Sequence, residues 1–333
     1  MSKKQWQDLP IIDISSLSIP GSDPEPVARQ IHDACRQFGF FYIAGHGISR
    51  ELQDDLLAKS VAFFNQSAEE KNVIRMELGG RAWRGYFSVG MELTSGTPDR
   101  KEGIYFGQHL DSEHPMVRKG IPLHGPNLYP EEPANFASTV EEYIEAVTNL
   151  GHSLMEAISL SLALPLSYFH DRYTSDPLVL FRIFHYPPIA TRTEKQMPWG
   201  VGEHTDYGVL TILKQDQVGG LQVKCGEGWI DAPYIEDTFV CNIGDMLDLM
   251  TGGYYQSTPH RVLNKSGRDR YSFPLFFDPN FSAVMSPLPE IEKLSEDRTR
   301  WDGANLQAFR GTYGEYVMAK ISKVFPDLFK SVH

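Results

Sequence analysis

The sequence predicts a mainly β fold, a barrel core flanked by helices, and three observations carry that prediction. From Leu178 onward the chain runs through short β-rich segments: Leu178–Tyr186, Val209–Lys214, Leu221–Val223, Trp229–Ala232, Phe239–Asn242, Arg261–Leu263 and Tyr271–Phe277. Turn signals separate them, among them Gly219-Gly220, Gly226, Gly228 and Gly252-Gly253, and short strands punctuated in this way build sandwiches and barrels. Helical spacing appears before and after the series. No apolar run approaches the roughly 18–20 residues that span a bilayer, so these helices belong to a globular chain.

The elements follow in order. Pro10–Ile14 predicts a short buried strand. Over Pro26–Phe38, Val27, Ile31, Ala34 and Cys35 fall on one helical face. Gly39 to Gly45 predicts a strand bounded by glycines, and Glu51–Phe64 an amphipathic helix. Ser67 and Glu70 form a capping box for the short helix behind them. Ala82–Pro133 is rich in Gly and Pro without a long period, so strands and loops are expected there. A long helix is expected from about Ala134 to Leu164, with Ser138 and Glu141 as its capping box if it begins later. A last helical period covers Leu306–Phe325. The expected organisation is an N-terminal α/β region over 1–130 and a helix-plus-barrel region over 131–333, with its core at about 178–285, in one compact unit.

Composition narrows the partners. The chain has 333 residues and is 41% hydrophobic, enough to bury a sizeable core. A formal net charge of -12 argues against a nucleic-acid backbone or an anionic membrane, which would repel it, but leaves room for a local basic pocket. Cys35, Cys225 and Cys241 are odd in number and lack CxxC spacing. They point to reduced thiols and a cytoplasmic chain rather than to disulfides or zinc. Met1–Leu9 carries two lysines without a hydrophobic stretch behind them, so no signal peptide is expected. The expected partner is a small-molecule substrate, with no nucleic acid and no membrane, on a monomer or weak oligomer.

His204 and Asp206 stand two residues apart, and residues i and i+2 of a strand share a face. His260 lies 56 residues on, at the start of a β-rich run. Two imidazoles and one carboxylate make the facial ligand set of non-haem Fe(II) sites, which leaves positions open for a chelating cosubstrate and O2. Alone the pair is a weak signal, since His204 would serve equally as a loop histidine and His260 as a cap. Arg270 and Ser272, ten and twelve residues after His260, strengthen it. They share a strand face; a guanidinium gives a carboxylate two parallel donors and a hydroxyl gives a third. The competing reading is a surface Arg–Glu pair.

These residues sit within longer stretches: Leu9-Pro-Ile-Ile-Asp-Ile, Gly39-Phe-Phe-Tyr-Ile-Ala-Gly-His-Gly, Arg84-Gly-Tyr, Glu203-His-Thr-Asp-Tyr-Gly, Gly219-Gly-Leu-Gln-Val, Asn242-Ile-Gly-Asp, Ser257-Thr-Pro-His-Arg-Val and Arg270-Tyr-Ser. Through nearly the whole chain they resemble the isopenicillin N synthase-like branch of 2-oxoglutarate- and Fe(II)-dependent dioxygenases. The resemblance implies a double-stranded β-helix (jelly roll) with helices outside, and 2-oxoglutarate and Fe(II) as cofactors. It implies that His204, Asp206 and His260 ligate iron, that Arg270 and Ser272 bind the distal carboxylate of 2-oxoglutarate, and that Tyr186 contacts it. The reaction implied is oxidative decarboxylation to succinate and CO2, coupled to hydroxylation of a C–H bond. Many plant members carry Asn-Tyr-Tyr-Pro where this chain has Phe184-His185-Tyr186-Pro187. His185 either faces the near carboxylate of 2-oxoglutarate or is a packed strand histidine.

The stretch Gly90 to Asp99 resembles its counterpart in ethylene-forming enzymes and homoarginine hydroxylases. That likeness implies a guanidino amino acid as substrate, with Glu92, Thr94 and Tyr207 at the guanidinium and Arg310 at the carboxylate. The plainer reading is that Glu92 caps a turn and pairs with a neighbouring Arg or Lys such as Arg84. Alternatives remain at the level of class: an iron oxidase of the same family working without 2-oxoglutarate, a hydroxylase of a larger natural product, or a non-catalytic binding module, which the intact triad argues against. Of the other conspicuous residues, His46 is expected to serve a turn, and Trp83, Trp199 and Trp229 to be packing or pocket walls. Cys225 and Cys241 are expected to be inert, and Asp245 to serve the turn after Asn242.

Overall fold

The computed structural model describes residues 8–188, 199–291 and 300–332, so most of the stretch Met1–Leu9, where no signal peptide is expected, lies outside the described residues. Ile11–Asp13 (β1) pairs in parallel with Phe40–Ala44 (β2) across Glu25–Gln37 (α1), which buries the predicted face of Val27, Ile31, Ala34 and Cys35. Arg50–Phe64 (α2) is capped by the Ser49 hydroxyl. Ala68–Asn72 (α3) carries the predicted capping box: Ser67 Oγ accepts from Glu70 N at 3.2 Å, and the Glu70 carboxylate accepts from Ser67 N at 2.8 Å. The middle stretch supplies Gly85–Phe87 (β3), Glu102–Gly107 (β4) and one short helix, Pro115–Arg118 (α4).

The long helix is Phe136–Ser161 (α5). Ser138 and Glu141 do not form its capping box, because the helix starts ahead of them. Ser138 bonds back to Asn135 O at 3.0 Å, and Glu141 accepts from the Tyr129 hydroxyl at 3.0 Å. The β-rich region then gives Leu178–Tyr186 (β5), Val201–His204 (β6), Leu210–Gln215 (β7), Leu221–Cys225 (β8), Gly228–Ala232 (β9), Phe239–Ile243 (β10), the helix Asp245–Met250 (α6), His260–Val262 (β11) and Arg270–Asp278 (β12). Of these β6 and α6 were not predicted, and Asp245, expected to serve a turn, opens α6. Val284–Met285 (β13) pairs with Gly311–Thr312 (β14). The predicted helix over Leu306–Phe325 is shorter. One 3-10 turn at Leu306–Ala308 and β14 precede Tyr313–Val324 (α7), and Pro326–Val332 (α8) follows.

The strands form a jelly roll. An eight-stranded sheet has the order β1-β2-β10-β7-β12-β5-β4-β3, and a four-stranded sheet the order β6-β11-β8-β9. The larger sheet takes strands from both sides of residue 130, so the N-terminal region is built into the same core. The central strand β12 is buried on both faces. On its outer face Tyr271 packs against Phe64 of α2, and Phe277 lies under α5, where Gly151 lets the helix approach so closely that a Cβ there would stand 2.4 Å from the Phe277 ring. Its even-numbered residues face the cavity between the two sheets. Among the described residues no helix is long and apolar enough to cross a membrane.

Candidate active site

The cavity is walled on one side by every second residue of β5 from Leu180 to Tyr186 and of β12 from Arg270 to Asp278, and on the other by β6, β8 and β11. His204 ends β6 and His260 opens β11. The two are register partners, which sets their ring centroids 4.2 Å apart. Asp206 lies just beyond β6 in a loop pinned to the start of α6, where Asp245 N donates to Asp206 O at 2.8 Å. His204 Nε2 and His260 Nε2 stand 3.9 and 3.7 Å from Asp206 Oδ1, and the three donor atoms lie within 4.8 Å of one another.

The remaining atoms of the triad are already occupied. His204 Nδ1 donates to Gly202 O at 2.8 Å and His260 Nδ1 to Thr258 O at 3.2 Å, in the tautomer those carbonyls select, so each Nε2 lone pair is free. Asp206 Oδ2 accepts from Thr211 Oγ1 at 2.6 Å and Asn242 Nδ2 at 2.7 Å, which leaves Oδ1 for a ligand. Burial, aided by neighbouring His260, pushes the His204 imidazole far below its ordinary pKa. Burial opposes ionisation of Asp206, but the two imidazoles and the hydrogen bonds from Asn242 and Thr211 outweigh it and hold the carboxyl below its usual range. An imidazole kept neutral at His204 beside an ionised carboxylate suits a divalent cation, and this donor set of two imidazoles and a carboxylate, with one side open, fits Fe(II).

Along the same cavity Arg270 is wholly buried. Its Nε donates to Gly219 O and its guanidinium lies 4.6 Å from the Tyr186 ring centroid. Its Nη1 has no hydrogen-bond partner among the described residues. Nearby Asp216 spends its oxygens on the backbone N–H groups of Val218 and Tyr271. Ser272 Oγ donates to the Tyr186 hydroxyl at 3.4 Å. Arg270, Ser272 and Tyr186 are thus brought together, with an unpaired buried cation among them.

Comparison with known proteins agrees with this geometry. Residues 9–132 match the N-terminal region of the non-haem dioxygenases of morphine synthesis, and residues 177–279 match the 2OG-Fe(II) oxygenase superfamily. A probable iron/ascorbate oxidoreductase of Dictyostelium discoideum is 53% identical over 98% of this chain and 97% of its own. The chain belongs to the 2-oxoglutarate- and Fe(II)-dependent oxygenases. A 1-aminocyclopropane-1-carboxylate oxidase of the same organism is 43% identical over 96% of each chain. A homoarginine-6-hydroxylase of Arabidopsis thaliana is 36% identical over 96% of this chain and 98% of its own. Among solved structures, a full-length Neurospora crassa protein crystallised in complex with 2-oxoglutarate superposes with a TM-score of 0.77 at 28% identity, covering 94% of this chain and 96% of that one. The cofactors of this oxygenase are Fe(II) and 2-oxoglutarate.

Two residues considered for the site are elsewhere in the oxygenase, and of the two readings of His185 the structure has the packed strand histidine. His185 faces outward from β5, because Phe184 and Tyr186 on either side of it face the cavity. It stacks on Tyr271, centroids 4.9 Å apart, and bridges Glu102 and Asp269 at 2.7 Å each. Arg310 is exposed ahead of α7 and donates to the carbonyls of Gln307 at 2.8 Å and Phe309 at 2.6 Å. The C-terminal segment instead lines the cavity with Val317, Ile321, Val324 and Phe325.

Glu92, Thr94 and Tyr207 do line it. Glu92 Oε1 accepts from the Tyr105 hydroxyl at 2.6 Å, and Lys101 Nζ stands 3.0 Å from Oε2. Lys101 also pairs with Asp99 at 2.6 Å, and the Thr94 hydroxyl donates to Asp99. Glu92 therefore has the cationic neighbour that the plainer reading required, though it is Lys101 rather than Arg84. Burial works against the Lys101 charge, but Glu92 and Asp99 outweigh it and raise its pKa. Sequence reasoning missed Lys101, Asp99, Thr211, Asn242, Arg182 and Asp278. Arg182 and Asp278 were within its reach, since each sits an even number of residues from an expected site residue on its own strand.

Proposed function

We propose that this oxygenase hydroxylates a small guanidino amino acid. His204, Asp206 and His260 hold Fe(II), Arg270 and Ser272 hold the distal carboxylate of 2-oxoglutarate, and Tyr186 lies alongside. One observation carries the reading of the cosubstrate end: the Arg270 guanidinium is buried in the cavity that contains the triad, its Nη1 has no hydrogen-bond partner, and it makes no ion pair among the described residues. A buried unpaired cation is costly unless a ligand supplies the charge, and a carboxylate matches its fork. When bound, Fe(II) supplies the O2 chemistry that couples decarboxylation of 2-oxoglutarate to hydroxylation of a substrate C–H bond. The protein orients both organic molecules and keeps water from them, with the apolar side of α7 helping to close the cavity.

The substrate reading rests on Glu92, Thr94 and Tyr207 lying together, on the resemblance of Gly90 to Asp99, and on the relative named a homoarginine-6-hydroxylase. Apart from Asp206 and Arg270, the cavity and its directly bonded neighbours hold Glu92, Asp99 and Asp278 against Lys101 and Arg182. With Asp278 ionised, the formal excess of one negative charge is what a guanidino amino acid, with two cationic groups and one carboxylate, balances. The test is succinate release with Fe(II), 2-oxoglutarate and arginine or homoarginine. Arg270→Lys should raise the 2-oxoglutarate requirement roughly ten- to hundredfold, since lysine loses the fork. An unchanged requirement with altered substrate dependence would assign Arg270 to the substrate. O2 uptake without succinate would remove the cosubstrate. No stimulation by either amino acid would favour a larger apolar substrate.

A further inference from the structure

At the end of β12 away from Arg270, the cavity holds two buried ionisable groups of opposite type that form no ion pair with each other. Asp278 is 3% exposed. Its Oδ2 accepts from the Tyr313 hydroxyl, while its Oδ1 has no hydrogen-bond partner among the described residues. The space for that carboxyl exists because residue 208 is glycine: a Cβ there would lie 1.5 Å from Asp278 Oδ1. Arg182, on β5, is 6% exposed. Its Nη1 donates to Phe106 O and Phe181 O at 3.2 Å each, and its guanidinium stacks 3.4 Å from the Tyr105 ring centroid. No carboxylate among the described residues forms an ion pair with it. The two groups feel each other's charge but make no direct ion pair.

We infer that Arg182 and Asp278 together form the receptor for a zwitterionic α-amino-acid head group, the substrate's carboxylate on Arg182 and its ammonium on the Asp278 carboxyl group. A charge-assisted bond at each end would satisfy two groups that burial otherwise penalises. The energetics run the same way: burial lowers the Arg182 pKa despite the nearby charges of Glu92 and Asp278, and burial, with Asp206 adding to it, raises that of Asp278 to about 7 despite the Tyr313 hydroxyl and Arg182. The assignment replaces Arg310, which is outside the cavity, as the partner of the substrate's carboxylate. Glu92, whose Oε1 accepts from the same Tyr105 on which Arg182 stacks, would be shared between the substrate's side chain and Lys101, 3.0 Å from Oε2. This inference rests on the reading of the substrate as a small amino acid but not on its guanidino group.

The experiment compares three probes on the Fe(II)–2-oxoglutarate enzyme: arginine, agmatine, which lacks the carboxylate, and 5-guanidinopentanoic acid, which lacks the ammonium. The readouts are succinate release and the concentration needed for half-maximal effect. Wild type should prefer arginine over each analogue by roughly ten- to hundredfold, the worth of one charged hydrogen bond. Asp278→Asn should erase the preference over 5-guanidinopentanoic acid but keep that over agmatine, and Arg182→Lys should do the reverse. These ratios are internal to each variant, so a general loss of folded enzyme does not mimic them. If Asp278→Asn does not fold, Asp278→Ser is read with the same pair. Equal use of all three probes by wild type overturns the head-group receptor while leaving the guanidino reading intact. Preferences that survive both substitutions overturn it as well. Strong stimulation by an amino acid without a guanidino group, lost on removal of its ammonium or carboxylate, keeps the receptor and discards the guanidino reading.

Discussion

Asp206 is useful as a ligand only if one of its oxygens is spoken for. Thr211 and Asn242 both donate to Oδ2, from β7 and β10, and so turn Oδ1 toward the two imidazoles. Partners of this kind typically tune metal affinity ten- to a hundredfold. Asn242→Ala should therefore weaken Fe(II) binding by roughly that factor with all three ligands in place. A titration with Co(II), read by its absorbance, checks it, and unchanged affinity would mean that the loop alone fixes the carboxylate. Neither donor was legible, because a residue that bonds across a sheet leaves no spacing in the sequence. The ligands were legible, since His204 and Asp206 obey a local period. His185 shows the same rule neglected: once Tyr186 is taken to face the cavity, its strand neighbour cannot. Arg310 shows the other failure, an arginine placed by local likeness whose loop carbonyls already satisfy it.

At the scale of elements, the long strands and helices follow from period and punctuation, and β5 runs over the predicted Leu178–Tyr186. What local sequence did not show was β6, four residues long with only Val201 strongly strand-forming, yet it carries the first ligand. It is a strand because β11 pairs with it, which is a tertiary fact. The placement of β12 depends in turn on α5 behind it, and Gly151 sets that distance. Gly151→Ala pits two effects against each other. Alanine favours the helix by about 1 kcal/mol. Its Cβ would meet the Phe277 ring at 2.4 Å, and Phe277 is fully buried and cannot swing away. Overpacking of this kind costs about 1–3 kcal/mol, so overpacking should win and stability should fall. Urea unfolding reads the sign directly; a more stable variant would show that α5 shifts freely over the sheet.

At the scale of the whole molecule, the site is a tie between two sheets. The imidazoles come from β6 and β11 of the smaller sheet, while Arg270 and Ser272 come from β12 of the larger. A metal alone would join β6, the Asp206 loop and β11. 2-Oxoglutarate chelated to that metal and held by Arg270 would join the smaller sheet to the larger. Both ligands bind only the folded chain, so each should raise the midpoint of thermal unfolding. A ligand at a hundred times its Kd contributes about 2.7 kcal/mol, roughly 5 °C for a chain of this class. Ni(II), which fits such a donor set without turning over, keeps the measurement free of oxidation. The expected pattern is a rise with Ni(II) and a further rise with 2-oxoglutarate that depends on the metal. Arg270→Lys should keep the first rise and lose most of the second, and His260→Ala should lose both. A chelator should return wild type to its ligand-free midpoint. If 2-oxoglutarate stabilises the protein equally with and without the metal, the two ligands do not meet in this cavity and the tie between the sheets is wrong.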